Sequence, residues 1–145
     1  MRISNLLAGK GPEVATIRRD ATVAEAVSEL ARHGIGALVV SSDGRRIEGI
    51  VSERDIVRGL EGDDGSLLAA AVSSIMSATV HTCSPEDDVD SLMAAMTERR
   101  IRHVPVVEGE EGLLLGIVSI GDVVKSRILE LEKDRKDLVD YIYAR

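Results

Sequence analysis

Residues 101–124, IRHVPVVEGEEGLLLGIVSIGDVV, repeat the plan of residues 35–57, IGALVVSSDGRRIEGIVSERDIV. In both, an apolar β-branched run leads through a turn bearing Gly and acidic residues into a second run ending in Gly-Ile-Val-Ser. Two such runs around a short Gly-bearing turn predict a hairpin. After each Ser, apolar residues stop alternating and fall at helical spacing, so a strand hands over to a helix there. Thr16 and Thr82, Val23 and Val89, and Ile35 and Ile101 lie 66 positions apart, whereas Ser52 and Ser119, like Asp55 and Asp122, lie 67 apart. A constant offset with one single-residue step, in the second hairpin turn, marks a duplication. Two copies are too few for a solenoid, and each is too short to bury a convincing core alone. The halves are therefore expected to pack on one another as a pseudo-twofold pair.

Around the repeated hairpin the remaining elements follow in order. Residues 3–8 read as a short helix, stopped by Gly9-Lys10-Gly11-Pro12. A strand is expected over 14–17. Asp20 or Thr22 then caps a helix with Val23, Ala26, Val27, Leu30 and Ala31 on one face, closed by His33-Gly34. Strands over 36–40 and 47–52 and a helix over 52–60 complete the first copy. EGDDGS, residues 61–66, is the linker, and the small-residue stretch 67–72 is expected to be helical. The second copy has a strand over 80–82 and a helix capped by Asp87 or Asp88, with Val89, Leu92, Met93 and Met96 inward. Its hairpin and last helix follow. Beyond Val124, Ile128, Leu131, Leu138 and Ile142 keep near-helical spacing around a polar 133–136 run; this predicts a C-terminal helix, docked on its own domain or turned to a second protomer. The expected division is an N-terminal helical segment over 1–12, repeats over 13–62 and 79–125, a linker and helix over 63–78, and the C-terminal helix over 126–145. The fold class is α/β of the α+β type, two tandem βαββα units.

Composition narrows the function. The chain is 44% apolar and 30% charged, with two Tyr and no Phe or Trp, so its core must be aliphatic. A net charge of −7 disfavours diffuse attraction to nucleic acid or anionic lipid, and the scarcity of aromatics leaves little for base stacking. The single cysteine, Cys83, excludes an intramolecular disulfide and a CxxC motif. His33, His81 and His103 lack metal-ligand spacing. No P-loop, GxGxxG, HExxH or GxSxG occurs, and the acidic pairs suit solvation and capping better than acid–base work. The first ten residues lack a signal-peptide pattern and no run approaches a membrane span, so the cytoplasm is the expected location. Ser-x-x-Asp at a strand–helix joint is a capping box, which needs no ligand. It is also a place where unpaired N–H groups and a positive dipole end meet anions.

Strand, helix, strand, strand, helix, with Gly-Ile-Val-Ser-x-x-Asp at the last joint and the whole given twice, resembles the CBS domain, here as a stand-alone pair or Bateman module. The resemblance implies an adenosine nucleotide (AMP, ATP or NAD(H)) in the cleft between the repeats. The [Ser/Thr]-x-x-Asp motif, falling on Ser52…Asp55 and Ser119…Asp122, would hold phosphate and ribose. A basic-hydrophobic stretch with Pro on the first hairpin strand matches Arg102-His103-Val104-Pro105, with the basic pair in reversed order. The first copy has Gly36-Ala37-Leu38-Val39 there, without the basic pair, although Arg54 offers some charge. Thr16 and Thr82 match positions near the adenine. The sites are thus expected to be unequal, with Asp122 and Arg102-His103 marking the main one, or to share a longer ligand. The implied protein is a non-enzymatic sensor, needing no cofactor or metal, that forms a homodimer and signals to an unknown effector in trans. The rivals are a ligand-free dimerisation module, a DNA-associated regulator and a small nucleotide hydrolase.

Overall fold

The protein, described by a computed structural model over residues 1–11 and 13–144, divides its apolar side chains between two cores that follow the duplication. In the first half, β1 (Thr16–Ile17), α2 (Val23–His33), β2 (Ala37–Val40), β3 (Gly49–Ser52) and α3 (Glu53–Leu60) follow an N-terminal helix, α1 (Ile3–Lys10). Thr22 caps α2 through a complete capping box with Glu25, and Gly34 closes it in the left-handed region, φ 63°. Val23, Ala26 and Leu30 are buried, whereas Val27, expected on the same face, is 40% exposed and Ala31 is also exposed. β2 is central, parallel to β1 and antiparallel to β3. With neighbours on both sides, all four of its residues are buried.

The second half holds α4 (Val89–Arg99), β4 (His103–Glu108), β5 (Leu113–Ser119) and α5 (Ile120–Tyr143). β4 and β5 pair antiparallel with a bulge between Val106 and Val107. Four sequence expectations change here. The strand over 80–82 is absent; only Cys83 pairs, by a parallel bridge to Val106. The stretch expected to be helical over 67–72 is two single 3₁₀ turns, Leu67–Ala69 and Val72–Ser74. Asp88 occupies the N-cap of α4 without a capping hydrogen bond, and Asp87 accepts instead from the Ser84 N–H at 2.9 Å. The last expectation concerns α5, which is one continuous helix of 24 residues, about 36 Å long. Nothing breaks it, because no Gly or Pro follows Gly121.

The halves are locked by an exchange of their leading segments. The Ile3 N–H donates to the Asp87 carbonyl at 2.9 Å, Ser4 to Pro85 at 2.9 Å, and the Val89 N–H to Met1 at 2.9 Å. Residues 70–73 make the same three bonds to the first half: Val72 to Ala21 at 2.7 Å, Ser73 to Arg19 at 3.0 Å, and Val23 to Ala70 at 2.9 Å. So the segment preceding the first repeat caps the second, and the segment preceding the second caps the first. The first N–H of α2 and the first N–H of α4 are thus both bonded to the other half's leader. Ile3 and Leu6 accordingly lie in the second core and Val72 in the first. The two contact sets superimpose the halves as a pseudo-twofold pair.

Two glycines make the exchange possible. A Cβ at Gly49 would stand 2.7 Å from Met76 Sδ and 2.8 Å from the Ser77 carbonyl; at Gly116 it would stand 2.8 Å from Leu7 Cδ2. Gly49 and Gly116 are equivalent in the repeat, and Met76 and Leu7 are equivalent in the leaders. Cys83, 8% exposed, has its thiol pushed up to about 12 by burial and by the nearby Asp87 charge, so it stays protonated as a small core residue.

Candidate functional site

The ends of β2 and β3 and the start of α3 face residues 99–103 of the second half across a cleft of about 790 Å³. Its floor is small because Gly36 must be small: a Cβ there would lie 3.1 Å from His103 Cε1, whose ring comes from β4 of the other half. At the start of α3, the Ser52 hydroxyl accepts from the Asp55 N–H at 3.3 Å, and Asp55 Oδ2 accepts from the Ser52 N–H at 2.8 Å and its hydroxyl at 3.0 Å. Among the described residues every hydrogen bond of the Asp55 side chain falls on Oδ2, which leaves Oδ1 for another donor. Capping and ligand binding are therefore compatible at this joint.

The remaining wall is basic. Arg54 and Arg58 come from α3, and Arg99, Arg100 and Arg102 from the end of α4 and the link to β4. Among the described residues none of the five lies within ion-pair distance of a carboxylate. The facing acids are Glu53 and Asp55. In a chain of net charge −7, five unpaired guanidiniums around one cleft concentrate positive potential where the rest of the surface is acidic. Guanidinium forks suit phosphate oxygens. Arg100 is also the one non-glycine with positive φ among the described residues, at φ 55°, ψ 42°. The first copy has Gly34 at the same C-cap, φ 63°, ψ 39°. A side chain held in that region costs on the order of 1 kcal/mol, and here the side chain so held lines the cleft.

His103 is half-buried between the halves, and burial above all pushes its imidazole below its ordinary value of 6.5. The Lys10 charge pushes the same way and Arg102 adds a smaller effect, while Glu53 and Asp122 oppose. The ring is therefore neutral at pH 7.

At the matching joint of the second half, Ser119 and Asp122 form the same box: Asp122 N–H to the Ser119 hydroxyl at 3.1 Å, and Ser119 N–H to Asp122 Oδ2 at 2.9 Å. There the carboxylate also meets Lys10, Nζ to Oδ2 2.6 Å. Burial pushes the Asp122 carboxyl up, but the bonds from Lys10 and Ser119 outweigh it and hold the group below the usual carboxylate range.

The cleft thus gathers six of the sequence-selected residues, Ala37, Ser52, Arg54, Asp55, Arg102 and His103. Arg102 and His103, tied in the sequence reading to Asp122, line the Asp55 cleft and also abut the second joint. There His103 pairs with Ser119, and the Arg102 carbonyl accepts from the Ile120 N–H at 2.8 Å. Leu38, Val104 and Pro105 are buried within the strands. Thr16 pairs with Val39 on β1, and Thr82 is exposed beside the Cys83 bridge; neither lines the cleft. Sequence reasoning missed Arg58, Arg99, Arg100, Ser77 and Thr79. The run Arg99-Arg100-Ile101-Arg102 in an acidic chain was the available signal for three residues of that wall. Among the described residues no grouping of His, Cys, Asp and Glu is suited to a metal ion, and no helix is long and apolar enough to cross a membrane.

Comparison with known proteins agrees with the duplicated fold. The family model for the CBS domain matches twice, over residues 11–62 and 72–128. A CBS-domain containing protein from Agrobacterium tumefaciens superimposes with a TM-score of 0.81 at 42% identity, over 88% of this chain and 99% of that one. A CBS domain protein from Pyrobaculum aerophilum, solved in complex with AMP, gives 0.77 at 33% identity, over 91% and 97%. Among curated proteins, a mitochondrial CBS domain-containing protein of Arabidopsis thaliana is 38% identical over 127 residues, 85% of this chain. This chain spans 61% of that relative's length.

Proposed function

Because the chain belongs to the CBS-domain family, with two copies of the domain in tandem, we propose that it is a regulatory module binding an adenosine nucleotide in the Asp55 cleft. One observation carries the reading. The Ser52–Asp55 helix start, able to receive a ribose or phosphate, shares a cleft with five unpaired arginines drawn from both repeats. The volume, about 790 Å³, falls in the range of small-ligand sites, and the AMP complex of the 33%-identical relative supports an adenosine ligand. In this reading Asp55 Oδ1 accepts a ribose hydroxyl, and the arginines hold the phosphates. His103, on the seam between the halves, takes up a proton as phosphate approaches.

The role is binding without turnover. Ligand bridging α3 and the 99–103 link favours one arrangement of the halves, and a partner protein reads that arrangement in trans, by linkage. The exposed apolar residues Val57 and Leu60 on α3, with Val124, Ile128 and Leu131 on α5, support a homodimer as the sensing unit, since monomers seldom leave such surface open. Calorimetric titration with AMP, ATP and NADH tests the reading. At least one should bind at micromolar to millimolar concentration and raise the melting temperature by mass action. No heat and no thermal shift with any of them would favour a ligand-free dimerisation module.

A further inference from the structure

A duplicated chain should carry two like clefts, and Lys10 sets them apart. In the first half the Ile50 carbonyl accepts from the Ser77 N–H at 2.9 Å. Its counterpart, the Ile117 carbonyl, accepts from Lys10 Nζ at 2.7 Å. The same ammonium lies 2.6 Å from Oδ2 of Asp122, the counterpart of Asp55. The difference arises in the leading segments. The one at 70–77 leaves its 3₁₀ turn after Ser74 and bridges Ile50 through Ser77, whereas the other stays helical to Lys10 and sends its last side chain back across the joint. The pair is shielded, with Lys10 32% and Asp122 26% exposed. Lys10 and Ser119 both bond Oδ2, so Oδ1 is left as at Asp55. A ribose hydroxyl offered there, however, meets a carboxylate already neutralised by an ammonium, a weaker acceptor than the Asp55 carboxylate.

We propose that Lys10 is a built-in occupant of the second copy of the site, so that one chain takes one nucleotide, at Asp55, and the Asp122 joint stays closed while Lys10 is in place. The inference rests on the nucleotide reading of the Asp55 cleft, and the two fail separately. The depressed Asp122 carboxyl accords with it. Lys10→Met keeps side-chain length and helix propensity while removing the charge. Titration calorimetry with AMP should give one ligand per wild-type chain and two per Lys10→Met chain, returning to one in Lys10→Met/Asp122→Ala. A stoichiometry of one in both wild type and Lys10→Met overturns the proposal. No binding to the wild type with one ligand on Lys10→Met would sink the Asp55 reading and uphold the latch; no binding to either would sink both. A ligand-free check is the Asp122 carboxyl followed by NMR titration: it should rise in Lys10→Met, and an unmoved titration removes the contact on which the proposal stands.

Discussion

Arg100 repeats the backbone geometry of Gly34 with a side chain attached, so stability and binding should trade against each other there. Arg100→Gly should stabilise the fold by about 1 kcal/mol in urea denaturation, by removing left-handed strain, and weaken AMP binding several-fold. A variant both less stable and unchanged in affinity would refute that role. His103 makes a pH prediction. Its folded value lies below that of the unfolded chain, so between the two the unfolded state binds more protons and stability rises with pH. The contribution is complete above about pH 6.5 and lost as pH falls through the folded value. NMR titration should find His103 below 6.5 without ligand and higher with AMP; a value insensitive to AMP would take the imidazole off the phosphate path. At this scale the sequence was legible in part. Arg102, His103, Ser52 and Asp55 stood out by residue type and repetition. Hydrophobic periodicity, however, carries no information on which half's basic residues face which half's joint, so the reach of Arg102 and His103 to the Asp55 cleft is not legible in it.

The elements were largely legible, because each hairpin and its following helix are local in sequence and the period switches from 2 to 3.6 at Ser52 and Ser119. What stayed hidden was non-local. The leaders carry too few apolar residues to declare a partner, and their offset to one another differs from that of the repeats. Gly49 and Gly116 read as strand glycines until Met76 and Leu7 lie on them. Gly49→Ala should cost about 1–3 kcal/mol and Gly116→Ala less, because the Ser77 carbonyl is backbone whereas the Leu7 methyl can turn away. Denaturation of both variants settles the order, and the reverse order would contradict the packing. Ile3→Ala should cost about 2–5 kcal/mol and loosen β4–β5, although Ile3 precedes the first repeat. Native-state hydrogen exchange that instead loosened β2–β3 would deny the exchange of leaders.

Across the whole molecule the duplication produces two joints with one geometry and two environments. At one, arginines from both halves surround an open cleft; at the other, the chain's own Lys10 sits on the carboxylate. The overall charge of −7 repels anions at long range, so the local field of the five guanidiniums must select the ligand, and binding should weaken as salt screens it. The asymmetry is the central claim, and calorimetric titration of AMP into Asp55→Ala and Asp122→Ala tests it most directly. Asp55→Ala should lose at least tenfold in affinity, about 1.4 kcal/mol, while Asp122→Ala should bind at nearly wild-type strength. Equal losses, or a greater loss from Asp122→Ala, would contradict it.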